Sequence, residues 1–147
     1  MSKHFPLKAI GRARSPVTKM RAGGFRDVTC EVYLNPELVP ATAGLEGFSH
    51  VIVLFWMDRA DAPRLKVVPQ GKAEAPEVGV LATRESSRPN PIGVTVCELI
   101  RCDGERLTIR GLDVVDGTPI VDVKPYLPQT DRVENVRFPE WINRLDF

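Results

Sequence analysis

The sequence TRESSRPNPIG, residues 83–93, places charged and amide side chains on a stiff stretch of chain. Its two prolines have a fixed φ, and each pushes the preceding residue into an extended conformation. Such a loop has little ordering entropy left to lose when a ligand binds. Arg84 and Arg88 suit a carboxylate or phosphate, and Asn90 can both donate and accept hydrogen bonds, as adenine recognition requires. Taken alone, the loop fits a rigid structural turn at least as well.

Two further loops carry acidic side chains close to strand ends. In RGLDVVDGTP, Asp113 and Asp116 lie three residues apart. In VDVKPYLP, Asp122 and Lys124 alternate with valines and therefore share one face of a strand, and Tyr126 lies between two prolines. Turn-forming aspartates and a strand-edge ion pair are the ordinary explanation of each feature by itself.

The common nucleotide-binding and hydrolase motifs are absent from the sequence. There is no GxGxxG after a strand and no GxxxxGK[ST], so neither a Rossmann fold nor a P-loop accounts for nucleotide binding. There is also no GxSxG nucleophile elbow. Two histidines and three cysteines without a CxxC pair argue against a metal site.

The elements that must position these loops are predicted to be short strands. Apolar, β-branched runs alternate with Gly, Pro, Asp and Asn along most of the chain, which is a strand pattern. An all-β barrel or sandwich with small helical additions is therefore expected. The predicted strands cover about residues 7–13, 27–34, 50–57, 64–68, 78–82, 92–100, 106–114 and 119–123.

The turns and helices are predicted from local signals. Asp103-Gly104 between two alternating strands predicts a hairpin with a type I′ turn. A second Asp-Gly turn is followed at once by Pro119, which is expected to place the next strand at an edge or in a loop. Short helical turns are predicted at 35–39 and 139–145.

One strand stands out because it is apolar throughout. The run VIVLFWM follows His50, and a strand of this composition is expected to be covered on both faces. Phe55, Trp56 and Trp141 suit either an apolar core or a contact between subunits.

Length and composition predict one soluble domain over residues 1–147, with a core at about 7–128. The chain has 147 residues, 43% of them hydrophobic, and a formal net charge of +1. No apolar run approaches membrane-spanning length, and the start lacks a signal-peptide pattern. The cysteines resemble reduced thiols, which predicts a cytoplasmic protein without a disulfide framework.

The charge is distributed unevenly. The first 26 residues contain seven Lys and Arg and no acid, whereas the rest contain more acids than bases. A basic end indicates an anionic partner such as RNA, although a solvated face without a partner fits equally well. The start is also Arg-rich enough for a transit peptide, but KAIGRARSP has the pattern of a strand and turn in the folded domain.

Together the loops resemble one known family. IGRARSPV, GLEGFSHVIVLFW, GVLATRESSRPNPIGVTVCEL and RGLDVVDGTPIVDVKPYLP follow one another in the order of the TrmO family, also called TsaA-like or YaeB, from about residue 8 to 128. The resemblance implies a single β-barrel-like sheet, S-adenosylmethionine as cofactor and a homodimer. It also implies a tRNA substrate, methylated at N6 of threonylcarbamoyl-adenosine beside the anticodon.

The resemblance also implies site residues. Those assigned to the cofactor are Asp58, Arg59, Arg84, Val94, Arg110, Gly111, Leu112 and Asp113. Those assigned to the substrate are Arg88, Asn90 and Lys124. The delocalised lone pair of adenine N6 is a weak nucleophile, so we expect a general base. Asp116 or Asp122 is the candidate, with Tyr126 to orient the base.

The chain departs from the family pattern in two places. Asp58-Arg59 stands where many relatives have His-Gln or another pair beginning with His, and Glu85-Ser86 replaces a Ser-Pro. The loop KMRAGGFRD aligns poorly. Two alternatives therefore stay open: a methyltransferase of the same fold acting on a small molecule or another RNA, or a non-catalytic module that binds S-adenosylmethionine or RNA.

Overall fold

The structure, a computed structural model that describes residues 3–147, contains a closed antiparallel barrel. Its strands are β1 (Gly11–Arg14), β2 (Thr29–Leu34), β3 (His50–Trp56), β4 (Lys66–Val67), β5 (Val78–Gly79), β6 (Ile92–Asp103), β7 (Arg106–Arg110) and β8 (Pro119–Pro125). The barrel has the strand order β1-β2-β7-β6-β3-β8 and closes by pairing β8 with β1. Strands β4 and β5 pair separately. The all-β barrel prediction is confirmed.

The helical elements are all short. One α-helical turn, α1, spans Pro128–Asp131. The helical turns predicted at 35–39 and 139–145 form, and both are 3₁₀ turns. The 3₁₀ turns are Pro36–Thr42, Leu45–Gly47, Pro69–Gly71, Val80–Ala82 and Glu140–Arg144.

Alternate residues of the strands fill the barrel. Val51, Val53 and Phe55 of β3 point inward and are at most 5% exposed, and each such side chain contributes about 1.5–3 kcal/mol by its burial. The outward residues of β3 are only half-buried. Within a single subunit, the prediction that both faces of β3 are covered is therefore wrong for the outer face, because a barrel has a single layer of sheet.

The hairpin between β6 and β7 is confirmed, but its turn type is not. Asp103 pairs with Arg106, so the loop residues are Gly104 and Glu105. A type I′ turn needs a positive φ at both loop residues, and of the two only Gly104 has one, at 61°. The loop therefore lies one residue later in the chain than predicted, and the type I′ assignment is wrong.

Strand β8 is not an edge strand. It pairs with β1 on one side and β3 on the other, so the edge predicted from Pro119 is wrong. Pro119 is tolerated because it is the first residue of the strand, opposite Arg12, where its missing N–H does little harm to the ladder.

Closure of the barrel gathers distant loops at one end. In an antiparallel barrel, the ends of β1, β3 and β7 lie beside the starts of β2, β6 and β8. The connections at this end are residues 15–28, 57–91 and 111–118, and the second of them carries β4 and β5. Two of the three loops that carry candidate functional residues, 83–93 and 110–119, lie in or beside these connections, whereas the third, 121–128, runs along β8 away from them.

Candidate functional site

A cleft of about 920 Å³ opens at this end of the barrel. Its volume lies in the range of small-molecule sites, which is about 300–1,000 Å³. Barrel closure brings its walls together from parts of the chain that are far apart in sequence. The lining residues lie within 20–25, 55–59, 69–70, 81–88, 92–94, 113–115 and 142–147, together with Thr118.

Part of the cleft is an apolar surface built around Phe55. Phe55 is 5% exposed, and its ring lies directly on the backbone of Gly93, where any Cβ would overlap it. Phe25, Met57 and Val94 extend this surface. The arrangement suits a flat or apolar group of a ligand.

Arg84 is the cation of the cleft that is free to bind a ligand. It is exposed, lines the cleft, and within residues 3–147 makes no hydrogen bond or ion pair. Arg88 is instead tied to its own loop, since its Nη1 donates to the carbonyl oxygens of Thr83 at 2.8 Å and Glu85 at 3.2 Å. Of the two arginines predicted in this loop, Arg84 faces the cleft with its charge available and Arg88 shapes the backbone.

Two other arginines of the cleft also have protein partners. Arg59 donates to the carbonyl oxygens of Thr18 at 3.0 Å and Asp116 at 3.1 Å. Arg21 donates to the carbonyl oxygen of Gly24 at 2.8 Å. Both side chains therefore stabilise loops at the rim while keeping positive charge beside the cleft.

Asp58 and Asp113 supply free carboxylates. Both line the cleft, and among the described residues neither side chain makes a hydrogen bond or ion pair. Desolvation raises the pKa of Asp113, although its surface is partly open to solvent, and the charge of Arg21 opposes that rise. A partly desolvated carboxylate that has no hydrogen-bond partner suits a cationic ligand group.

Three of the predicted cofactor residues lie outside the cleft. Arg110 is on the outer face of β7 and pairs with Glu98 at 2.7 Å, which raises the pKa of Arg110. Gly111 has a φ of 92° and lies against the carbonyl oxygen of Arg26. Leu112 is 1% exposed and belongs to the barrel core. Of the predicted cofactor residues, those that line the cleft are Asp58, Arg59, Arg84, Val94 and Asp113.

Asp116 lies at the rim and is tied to the chain on both sides. Its Oδ1 accepts a hydrogen bond from the Ser15 N–H at 3.0 Å, and its own N–H donates to the Val17 carbonyl at 2.7 Å. Its carbonyl oxygen holds Arg59. Asp116 thus directly follows the cleft-lining residue Val115 in the chain and is linked to the cleft through Arg59.

The remaining predicted residues lie farther away. Asp122 and Lys124 form an ion pair of 2.8 Å on the outside of β8. Tyr126 donates its N–H to the carbonyl oxygen of His50, the first residue of β3, at the opposite end of the barrel. Asn90 is exposed, outside the cleft lining, and its carbonyl oxygen accepts the Ile92 N–H.

Sequence reasoning missed two walls of the cleft. The loop 20–25 turns at Gly23 and Gly24, which have φ of 69° and 79°, and the glycine pair was its one sequence signal. Residues 142–147, with Gln70, form the other wall. Their apolar periodicity predicted only a short helix and not its position over the cleft.

Residues 3–147 contain no cluster of three or more His, Cys, Asp or Glu side chains placed to hold a metal ion. Within the same part of the chain, none of the helices has the length and apolar character needed to cross a membrane.

A closed antiparallel barrel with an end cleft that offers an apolar floor, a free arginine and free carboxylates defines a small-ligand-binding protein outside the Rossmann class. Residues 16–132 match the family model described as the tRNA-methyltransferase O N-terminal domain. The chain belongs to the TrmO family.

Individual relatives agree with the family assignment. The chain is 41% identical to an S-adenosyl-L-methionine-binding protein of Archaeoglobus fulgidus, over 88% of this chain and 95% of the relative. It is 34% identical to the tRNA (adenine(37)-N6)-methyltransferase of Mus musculus, over 90% of this chain and 30% of the relative. A crystal structure of TrmO from Pseudomonas aeruginosa matches with a TM-score of 0.78 and 30% identity, over 95% of this chain. This chain spans 62% of that TrmO chain.

Proposed function

We propose that this chain is an S-adenosylmethionine-dependent methyltransferase that acts on tRNA. The observation that carries the proposal is the set of free charges in the cleft: Arg84 together with Asp58 and Asp113, in a barrel of the TrmO family. Relatives named as S-adenosylmethionine-binding proteins and as tRNA methyltransferases support both the cofactor and the reaction class.

The cleft residues fit the chemical groups of this cofactor. Arg84 would bind the carboxylate of its amino-acid part, since a guanidinium pairs with a carboxylate through two parallel hydrogen bonds. Asp58 and Asp113 would face its ammonium and sulfonium charges. The apolar surface around Phe25 and Phe55 would hold the adenine ring.

The cofactor supplies an electrophilic methyl group on its sulfonium sulfur. The chain contributes orientation, and holding two reacting groups in contact lowers a barrier by about 7–11 kcal/mol. A base near adenine N6 adds about 10²–10⁴-fold. Asp116 remains our candidate because it lies at the cleft rim and only its Oδ1 is bonded to the Ser15 N–H, which leaves Oδ2 without a hydrogen bond among the described residues. Asp122 and Tyr126 remain predictions that need a second subunit or the substrate to bring them near a cleft.

The RNA partner is supported by a basic groove beside the cleft. Arg12, Arg14 and Tyr33 line a depression of about 290 Å³ that also includes Asp116 and Gly117. Arginines beside an aromatic ring can bind phosphates and stack on bases. Arg88, Asn90 and Lys124 stay predicted substrate contacts. We propose N6 of threonylcarbamoyl-adenosine beside the anticodon as the methylated position; the name of the mouse relative gives N6 of adenine 37 as its own target.

We further propose a homodimer that buries the outer face of β3 and β6. Cross-strand pairs join Ile52 to Val96 and Leu54 to Val94 on this face. Val94 is 41% and Val96 51% exposed, which leaves a contiguous apolar surface uncovered. Because Ile92 and Val94 also line the cleft, a partner on this face would lie beside the cofactor.

We also propose that residues 1–147 form one domain that includes the 3₁₀ turn Glu140–Arg144. We propose further that the protein is cytoplasmic. The cysteines support a reducing compartment. Cys30 and Cys97 are free and buried, and burial raises their pKa values to about 11 and about 12.

The test is a methylation assay with the purified protein. Transfer RNA that carries threonylcarbamoyl-adenosine is incubated with the protein and S-adenosylmethionine labelled in its methyl group, and the nucleosides are then analysed by mass spectrometry. We expect label on N6 of that nucleoside, and much less label with Arg84→Ala when S-adenosylmethionine is limiting. The matching nucleoside profile of a deletion strain should lack the methylated form.

The purified protein and the deletion strain also distinguish the alternative functions. Calorimetric binding of S-adenosylmethionine without transfer to any tRNA would favour a non-catalytic module or a methyltransferase with another substrate. No binding at all would overturn the proposed function. An unchanged nucleoside profile in the deletion strain would remove the proposed tRNA position.

A further inference from the structure

Segment 140–147 forms a wall of the cleft and is held there by one glutamine. The Gln70 Nε2 donates to the carbonyl oxygen of Asp146 at 2.8 Å, and the Asp146 N–H donates to the Gln70 Oε1 at 2.8 Å. This amide pairing satisfies both backbone groups of Asp146, as a strand partner would. It brings Ile142 and Leu145 against the cleft.

The same glutamine also contacts the loop of the free arginine. The Gln70 backbone N–H donates to the Oε1 of Glu85, the residue next to Arg84. Glu85 is one of the positions at which this chain departs from the family pattern. Gln70 therefore joins the wall and the loop on either side of the cleft through separate parts of one residue.

The backbone conformation of Gln70 fits a role in holding these two segments. Its φ of 54° lies in the left-handed region, which a residue other than glycine adopts when its surroundings impose it. The next residue, Gly71, also has a positive φ, of 63°. This double left-handed turn aims the Gln70 side chain at Asp146 and its N–H at Glu85.

Two other polar contacts attach the wall to the rest of the chain. Lys72 pairs with the carboxylate of Asp146 at 2.9 Å, and the Nη1 of Arg144 donates to the carbonyl oxygen of Glu74 at 3.2 Å. Exposed ion pairs contribute little to stability. The amide pairing of Gln70 also lies at the surface, but it engages both backbone groups of Asp146 through two hydrogen bonds of 2.8 Å.

We propose that Gln70 is a positioning residue for the cofactor, holding segment 140–147 and the Arg84 loop at the spacing that S-adenosylmethionine requires. This inference rests on the proposed function, because it takes the cleft to be the cofactor site. It gives Gln70 and residues 142–147 a role in cofactor affinity. Residues 142–147 lie outside the matched family domain.

The test compares S-adenosylmethionine affinity across variants by calorimetry. Gln70→Gly suits the left-handed backbone and keeps the N–H to Glu85, but removes the amide pairing. We expect its Kd to rise about tenfold, the effect of losing two hydrogen bonds of ordinary strength. Lys72→Ala is the matched control: it breaks only the ion pair to Asp146, and its Kd should stay within about twofold of wild type.

Two further measurements separate positioning from folding. Amide hydrogen exchange of residues 140–147 should slow on adding S-adenosylmethionine to the wild type and change little in Gln70→Gly. In the methylation assay the KM for S-adenosylmethionine should rise while kcat at saturation stays within about twofold. Should Gln70→Gly fail to fold, Leu145→Ala trims the wall without touching Gln70 and should weaken binding in the same way.

The outcomes are distinguishable. A wild type that binds S-adenosylmethionine and a folded Gln70→Gly with the same Kd would overturn this inference and leave the proposed function standing. A wild type that does not bind S-adenosylmethionine would overturn both.

Discussion

The carboxylate of Asp116 accepts a hydrogen bond from the backbone N–H of Ser15 at 3.0 Å, across 101 residues of sequence. Ser15 is only 8% exposed, so its N–H has little access to water as a substitute. Asp116→Ala should lower the free energy of unfolding by about 1–3 kcal/mol, the cost of leaving that donor without a partner. Chemical denaturation of the variant and the wild type measures the difference.

Asp116→Asn separates this structural role from catalysis. Asparagine keeps an oxygen acceptor for Ser15 but cannot serve as a base, so stability and S-adenosylmethionine affinity should hold while methyl transfer falls about 10²–10⁴-fold. Asp122→Asn is assayed beside it. Full methyl transfer by both variants would show that neither residue is the base.

Truncation of the two arginines of the RPNP loop should change two different properties, cofactor affinity for Arg84 and thermal stability for Arg88. Arg84→Ala should weaken S-adenosylmethionine binding about 10- to 100-fold, the loss of a charge-assisted pair, and leave the thermal midpoint unchanged. Arg88→Ala removes bonds to the carbonyl oxygens of Thr83 and Glu85 and should lower the thermal midpoint. Calorimetry and thermal unfolding of both variants test the contrast, and equal effects would contradict it.

The Asp113 carboxylate should lower the stability of the unliganded protein and strengthen cofactor binding. Its folded pKa is raised above 3.8, so folding favours its protonated form, and its contribution to the free energy of unfolding falls as pH rises from about 3.8 through the folded pKa. Asp113→Asn should therefore raise the thermal midpoint of the unliganded protein at pH 7 and weaken S-adenosylmethionine binding. A lower midpoint at pH 7 in this variant would refute the assigned environment.

Gly93→Ala should disturb the floor of the cleft. A Cβ at residue 93 overlaps the Phe55 ring, so the ring must move and the free energy of unfolding should fall by about 1–3 kcal/mol. Gly47→Ala is the control, because a Cβ there meets nothing within 4 Å. Thermal unfolding and cofactor binding of both variants measure the effect, and a Gly93→Ala protein with wild-type values would show that the ring adapts freely.

Val96→Glu should convert the proposed dimer into a monomer. The substitution puts a charge in the centre of the apolar face of β3 and β6, where desolvating it would be costly. Val133→Glu changes a residue that is 70% exposed in the segment after α1 and should leave the mass in solution unchanged. Light scattering after size exclusion reads out both variants, and a monomeric wild type would contradict the dimer.

Local patterns in the sequence predicted much of the fold. Period-two alternation in β6 and β7, with a glycine between them, indicated the hairpin, and Val51 to Phe55 were recognisable as a strand. These features depend on neighbouring residues alone. The type I′ turn and the edge at Pro119 were wrong because the register at Asp103 and the closure of the barrel depend on pairing with distant strands.

The sequence by itself determined the all-β class, the resemblance to the TrmO family and the loop that carries Arg84, because composition, periodicity and motif strings are written in consecutive residues. Only the tertiary structure decided that Arg84 is free and Arg88 is tied, that Asp113 enters the cleft while Asp116 binds Ser15, and that Gln70 holds a residue 76 positions away. The physical reason is that a side chain's partners are set by the closure of the barrel, which brings together loops that are far apart along the chain.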